Sequence, residues 1–399
     1  MEQEGLNHKI EALLAAIYSD VKHIASYDDS VLKNLGSLLF LGQYAVYKGT
    51  SIDAEIDSFI ALINDYEIRE TQHQTLSEGY LSIGTVFRRL VQLGLLEESE
   101  DLESTIGDIA VWSAKRELAT PNYDLLYGAT GILHYLLTGD NPGPEARQVA
   151  EEYLHSLEHS AVSLNQGIAW PDHYFRIRKQ GGLGVNLGLA HGVPAILKIL
   201  VTLYNSDLDI AKENIARLIS GTAVFLMNSG NSKPDAVSVY GGYLVPGATE
   251  EEVSRLGWCY GDLGIGFTLY QAGRAIGDDA VVRYGEDLVV KTTGRRSVAQ
   301  TMVMDAGLCH GAAGIAHMYH KMWQYTGNTS FKEAMDFWIA ETLNYAASGA
   351  HAAGFKKYNP ANKQYETDHG FLEGSAGIGL VLLSYLTGDC SWDPVLMLN

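Results

Sequence analysis

The sequence predicts an all-α protein, an α/α barrel assembled from helical hairpins. Three observations carry that expectation. A Gly-x-x-small-aliphatic motif recurs, each copy opens an apolar helical stretch, and amphipathic stretches lie between the copies. The motif reads GYLSI from 79, GATGI from 128, GVPAI from 192, GDLGI from 261, GAAGI from 311 and GSAGI from 374. A weaker copy, LGSLLFLGQYAVY, occupies 35–47. The apolar stretches end at LTGD (137–140), YNSD (204–207), AIGD (275–278), YTGN (325–328) and LTGD (386–389). Gly or Asn there suits the left-handed turn that ends a helix.

Second helices are expected at 144–157, 209–227 and 330–346, each with one apolar stripe. The first helices, such as GIGLVLLSYL, are apolar nearly all round. That contrast fits buried inner helices jacketed by outer ones, with six or seven hairpins closing into a barrel. An open solenoid is the competing arrangement, but solenoid repeats keep a fixed period and this spacing is uneven. A single domain then accounts for residues 1–399, with irregular insertions near 158–190, 228–256 and 349–370.

With 399 residues and 46% apolar content, the chain can bury a large core. Its three cysteines, at 259, 309 and 390, are too few for a disulfide framework and point to a reducing compartment. The start, MEQEGLNHKIEALLAAIYSD, lacks the basic and apolar regions of a signal peptide. No apolar run approaches the roughly 20 residues of a membrane span. A soluble, cytoplasmic protein with no transmembrane segment is expected. The net charge of −20 repels phosphate backbones and argues against a nucleic-acid partner. The acidic runs EESEDLE (97–103) and TEEEV (249–253) read as solvated surface.

In a closed ring the motif helices would gather their N-termini at one end, with small residues leaving backbone N–H groups free there. The residue before each motif glycine would face that space: Glu78, Tyr127, His191, Tyr260, His310 and Glu373. None is aliphatic, and Tyr and His are poor helix caps. Cys259 in GWCYGDLGIG and Cys309 in GLCHGAAGIA share one register, two residues before their glycines, and His310 adjoins Cys309. Two thiolates and an imidazole suit zinc and leave its fourth position open, as in catalytic sites. No local Cys-x-x-Cys spacing is present, and buried inert cysteines are the alternative. For His191 the ordinary alternative is a structural histidine. Asp124, four residues before Gly128, reads by default as a cap or a surface carboxylate. Arg255 shares a face with Cys259 only if RLGWCYG is helical. Trp258 reads as packing.

Together, GWCYGDLGIG, GLCHGAAGIAH, LAHGVPAIL and GFLEGSAGIGL resemble the lanthionine synthetase C-like proteins, cyclases of class I lanthipeptide biosynthesis. The resemblance runs from about residue 30 to 390. It implies an α/α toroid of seven inner and seven outer helices. It also implies one Zn2+ per chain, held by Cys259, Cys309 and His310. The family's catalytic histidine falls on His191, its catalytic aspartate on Asp124, and its conserved arginine and tyrosine on Arg255 and Tyr260. Ala195 stands where a glycine is usual, and the degenerate first motif puts the seventh hairpin in question.

The implied reaction is a step of antibiotic peptide biosynthesis. A peptide cysteine thiolate adds to dehydroalanine or dehydrobutyrine, giving a lanthionine or methyllanthionine thioether. His191 would act as general acid and, earlier, as base. Asp124 would orient it or exchange the proton, and Arg255 and Tyr260 would stabilise the enolate or fix the site. The implied partners are a dehydrated precursor peptide, a lanthipeptide dehydratase and export machinery, with membrane association through such a complex. One alternative is a non-catalytic family member that binds zinc or thiols such as glutathione. Another is an α/α-barrel glycosidase using carboxylates such as Glu78, Glu373, Asp124 or Asp262, which leaves the matched cysteines unexplained.

Overall fold

Each strong copy of the motif opens a helix, and its first glycine is the N-cap every time. The computed structural model describes residues 2–22, 34–65, 73–139, 142–178, 183–231, 233, 236–248, 253–346 and 353–399. These fall into two units, one made of 1–103 and 303–399, the other of 104–302.

The first unit begins with α1 (Glu2–Lys22), α2 (Asn34–Lys48), α3 (Asp53–Asp65) and α4 (Tyr80–Gln92). The second runs from α5 (Glu100–Ala119) through α6 (Ala129–Leu137), α7 (Pro144–Ser160), α8 (His173–Arg178) and α9 (Val193–Asn205). It continues with α10 (Lys212–Met227), α11 (Asp262–Ile276), α12 (Asp279–Thr292) and α13 (Val298–Thr301). The first unit is completed by α14 (Ala312–Thr326), α15 (Thr329–Ala346) and α16 (Ser375–Thr387).

Burial separates the helices into two kinds. In α14 every residue from Ala312 to Met322 is buried, and in α16 every residue from Ser375 to Ser384. By contrast, α12 buries only Val281, Gly285, Leu288, Val289 and Thr292, a single stripe. In the second unit α6, α9 and α11 pack side by side, covered by α7, α10 and α12 respectively. In the first unit α4, α2, α16 and α14 pack in that order, and α15 covers α14. The degenerate first motif nevertheless forms a complete inner helix, with 35–45 buried throughout. Seven motif helices are therefore present among the described residues.

Helix α1 covers α16 and α2, so the first helix of the chain is the outer partner of the last. Its buried stripe is Ile10, Leu14, Ile17 and Val21. Leu14 is fully buried, so Leu14→Ala is expected to cost about 2–5 kcal/mol through lost contacts and a residual cavity. A lower denaturant midpoint at unchanged m-value is the check.

The helix ends depart from expectation in places. Gly277, Gly327 and Gly388 do adopt the left-handed cap, with φ of 71°, 69° and 75°. After α9, Ser206 is extended instead, at φ −72° and ψ 160°. Lys212 explains the difference: its Nζ donates to the carbonyls of Leu203 and Ser206, both at 2.6 Å. A side-chain cation thus satisfies the end that a left-handed turn would otherwise close. After α6, Thr138 is right-handed, and its N–H donates to His134 and Tyr135. Helix α10 begins at Lys212 rather than 209.

The strands lie within the three stretches between hairpins. Val162–Leu164 pairs with Gly167–Ala169, Val185–Asn186 with Tyr243–Leu244, and Lys357–Asn359 with Gln364–Glu366, all antiparallel. Residues 179–182, 232, 234–235, 249–252 and 347–352 of those stretches, including most of the TEEEV run, lie outside the described residues. No described helix is long and apolar enough to cross a membrane.

Candidate active site and metal ligands

The site residues sit on the loops that precede the motif helices, and one device shapes several of these loops. An Asn or Asp six residues before the motif glycine makes a tight side-chain turn. Asn186 Oδ1 accepts from Gly188 N at 2.9 Å, Asp305 Oδ1 from Gly307 N at 3.0 Å, and Asp368 Oδ1 from Gly370 N at 2.8 Å. The carbonyls of Asn122, Asp305 and Asp368 then accept the first helical N–H groups, those of Ala129, Ala312 and Ser375. These donors were expected to be free; the folded-back loop takes them instead. The loop also presses close to its helix. A Cβ on Gly314 would lie 1.8 Å from the Leu308 carbonyl oxygen, so only glycine admits the Cys309 loop there.

In the second unit these loops bring Asp124, His191 and Tyr260 together. His191 Nδ1 lies 2.8 Å from Asp124 Oδ2. The other Asp124 oxygen accepts from the N–H groups of Leu126 (2.7 Å) and Tyr127 (2.9 Å). Asp124 is 3% exposed, so it is no surface carboxylate: it shapes its own loop and fixes the imidazole. Burial pulls the His191 pKa down, but the Asp124 hydrogen bond and charge outweigh it, and the pKa ends above the ordinary value. Tyr127 stacks on His191, with centroids 6.2 Å apart and planes at 3°, and Tyr260 lies 6.0 Å away on a tilted plane. The Tyr260 hydroxyl accepts from Asn186 Nδ2 at 3.2 Å, and burial drives its pKa well up, so the phenol keeps its proton.

Cys259 is buried, in no disulfide, on the loop before α11. Its carbonyl accepts from Ala190 N at 3.2 Å, tying this loop to the one carrying His191. Residues 253–261 are not helical, so Arg255 and Cys259 share no helical face. The Arg255 guanidinium is half-buried and has no hydrogen-bond or ion-pair partner among the described residues. Trp258 is packed in the core at 1% exposure. Asp262, a carboxylate available to a glycosidase, is committed to structure: it accepts from Val239 N and Tyr240 N and pairs with Arg295.

Gly261 holds this loop in place at φ 89° and ψ −161°, a region that essentially only glycine enters. A Cβ there would also lie 2.3 Å from Ser254 Oγ. Gly261→Ala is expected to cost about 1–3 kcal/mol, read as a lower melting temperature.

In the first unit, Cys309 and His310 precede α14, both half-buried, and Cys309 is in no disulfide. Cys309 N donates to the Leu372 carbonyl at 2.7 Å, the same kind of loop-to-loop tie as at Cys259. The residue before each motif glycine retains access to solvent within mostly buried surroundings. Glu78, Tyr127, His191, Tyr260 and His310 are half-buried, and Glu373 is exposed. Lys357 Nζ pairs with Glu373 at 3.2 Å and with Asp368 at 2.9 Å.

Sequence reasoning passed over Asn186 and Asp172. Asn186 Nδ2 reaches the hydroxyls of Tyr243 (2.9 Å) and Tyr260 (3.2 Å), and lies 3.4 Å from Asp172 Oδ2. Burial raises the Asp172 pKa. A cavity of about 20 Å3 borders Asn122, Asp124, Asp172, Asn186 and His191, room for one water. The recurrence of Asn or Asp six residues before the glycine, at 122, 186, 305 and 368, was the available signal.

A family model described as lanthionine synthetase C-like protein matches residues 34–397. The chain belongs to the lanthionine synthetase C-like family. Among solved structures, nisin cyclase is similar at a TM-score of 0.70 and 17% identity, covering 99% of this chain and 98% of that one. The family fold, an α/α toroid, is thus this chain's fold, as the repeat pattern predicted. No curated protein matches it by sequence. The family model begins after α1, although α1 completes the packing of α16.

Proposed function

We propose that the protein is a zinc-dependent lanthipeptide cyclase, forming thioether rings in a dehydrated precursor peptide. The observation that carries this is the buried Asp124 carboxylate hydrogen-bonded to His191, at the positions where the family has its catalytic pair. Cys259, Cys309 and His310 would hold one Zn2+. Two thiols and an imidazole are a fitting donor set, neither cysteine is in a disulfide, and both precede a helix in the same register. When bound, zinc would hold the substrate thiol as thiolate at its open position.

The residues of the chain then handle a single proton. His191 donates Nδ1–H to Asp124, which leaves Nε2, without a partner among the described residues, to take the proton of the peptide thiol. The sulfur lone pair forms the C–S bond at the β-carbon, and the C=C π pair moves to the α-carbon and its carbonyl. His191 returns the proton to the α-carbon, so the peptide's mass does not change. Tyr260 keeps its hydroxyl proton and can donate it to the enolate oxygen. Arg255 brings a fixed positive charge with no partner among the described residues.

On this reading a separate lanthipeptide dehydratase prepares the precursor, and export machinery takes the product. The enzyme works in the cytoplasm and meets the membrane only through that complex. The test is incubation of zinc-loaded protein with a dehydrated, cysteine-containing precursor, with and without chelator. Loss of alkylatable thiols and a changed fragmentation pattern are expected only without chelator. Thiols that persist with the cognate peptide and zinc-loaded protein would sink the reading.

A further inference from the structure

Away from these loops, three donors gather along the middle of α14. His317 and His320 lie one turn apart on that helix, and Cys390 follows α16. One donor atom from each lies within 4.8 Å of the other two. His317 is 1% exposed and His320 6%, while Cys390 as a residue is half-buried.

Hydrogen bonding decides which atoms are available. His317 Nε2 lies 2.9 Å from Asp393 Oδ2, so it carries the proton and donates to the carboxylate. In the neutral imidazole that donates there, Nδ1 is a lone pair; the atom is buried, with no hydrogen-bond partner among the described residues. A buried acceptor left unsatisfied is costly, and no described residue offsets that cost. A carboxylate fixing the far nitrogen of a histidine is also how metal-binding imidazoles are oriented. His320 Nδ1 lies 3.8 Å from Cys390 Sγ, and Gln324 contacts both His320 Nε2 (3.3 Å) and Cys390 Sγ (3.8 Å). Trp392 packs over His317, with centroids 4.7 Å apart, closing one side.

We propose that His317, His320 and Cys390 form a second metal site, for a borderline divalent cation of the zinc class. Two imidazoles and one thiolate match the ligand preferences of that class. On binding, bonds form from the metal to His317 Nδ1, His320 Nδ1 and Cys390 Sγ. The thiol proton leaves to solvent, one per ion bound. The His320 proton moves from Nδ1 to Nε2, and the Nε2–H then donates a hydrogen bond to Gln324, which turns its amide oxygen toward it. Nothing in this site depends on Cys259, Cys309 or His310.

The chain has three cysteines, so in the Cys259→Ala/Cys309→Ala variant Cys390 is the only thiol. That variant, stripped with chelator and titrated with Co2+, is expected to bind about one equivalent and to develop a thiolate-to-metal charge-transfer band. Adding Cys390→Ser should remove the band, and His317→Gln should weaken binding by at least ~10-fold. The otherwise wild-type protein gives an independent measurement, in which Cys390→Ser should lower zinc stoichiometry by one equivalent. A folded double variant with no band, or equal stoichiometry in wild type and Cys390→Ser, overturns the proposal. Both results are independent of whether the chain cyclises a peptide.

Discussion

Cys259→Ala is expected to eliminate ring formation and to weaken zinc binding by more than the ~10–100-fold that loss of an outer-shell partner costs. The proposed set has only three protein ligands, so removing a thiolate leaves two, too few to hold the ion while a substrate thiol enters. The fold should survive. Cys259 ties its loop to the His191 loop through its backbone carbonyl, which alanine retains. Cys309→Ala should behave in the same way, because its tie to Leu372 also runs through the backbone. Zinc analysis, circular dichroism and the thiol-alkylation assay together check the prediction. A folded Cys259→Ala protein that forms rings at the wild-type rate would remove the metal from the mechanism.

His191→Ala is expected to keep its zinc and to lower kcat by about 10^2–10^4-fold, the usual contribution of a positioned acid–base group. Its pH dependence separates proton transfer from mere packing. A base must be neutral to accept the thiol proton, so kcat/KM should rise with pH through the His191 pKa. Burial alone would put that limb below the ordinary imidazole range, but the Asp124 hydrogen bond and charge raise it above. Asp124→Asn removes the anion, so the acid limb should move to lower pH while kcat falls. The Asn side-chain oxygen can still accept from Leu126 and Tyr127, which preserves the loop. An acid limb that stays in place would mean that Asp124 shapes the loop without tuning the imidazole.

Much of the fold was legible because its signals are local. A glycine followed by a wholly apolar stretch needs a helix start with close backbone approach, whatever surrounds it, and all six strong copies supply one. Even the degenerate copy at 35–47 kept enough apolar residues to form a helix buried along 35–45. The shared register of Cys259 and Cys309 is likewise local, since it depends only on distance to the motif glycine.

What stayed hidden depends on partners far apart in the chain. Sequence alone left Asp124 as a cap or a surface carboxylate. The packing of α6 beside α9 is what sets it against His191, 67 residues away. Arg255 would share a face with Cys259 only in a helical segment, and the segment is a loop that Gly261 turns at positive φ immediately before α11. His317 and His320 lie within an apolar motif helix, and Cys390 is separated from His320 by 70 residues.

The N-terminal helix draws the line most sharply. Ile10, Leu14, Ile17 and Val21 recur at helical spacing, so the apolar face of α1 is written locally in the sequence, although this segment was not among the expected second helices. The sequence could not determine which helix covers that face, because any inner helix offers a chemically similar apolar surface. The tertiary structure decided for α16 and α2. Helix α15 covers α14, and α1 covers the face that α16 and α2 present. Periodicity fixes what a segment must bury, whereas the arrangement of the remaining surfaces fixes where it is buried.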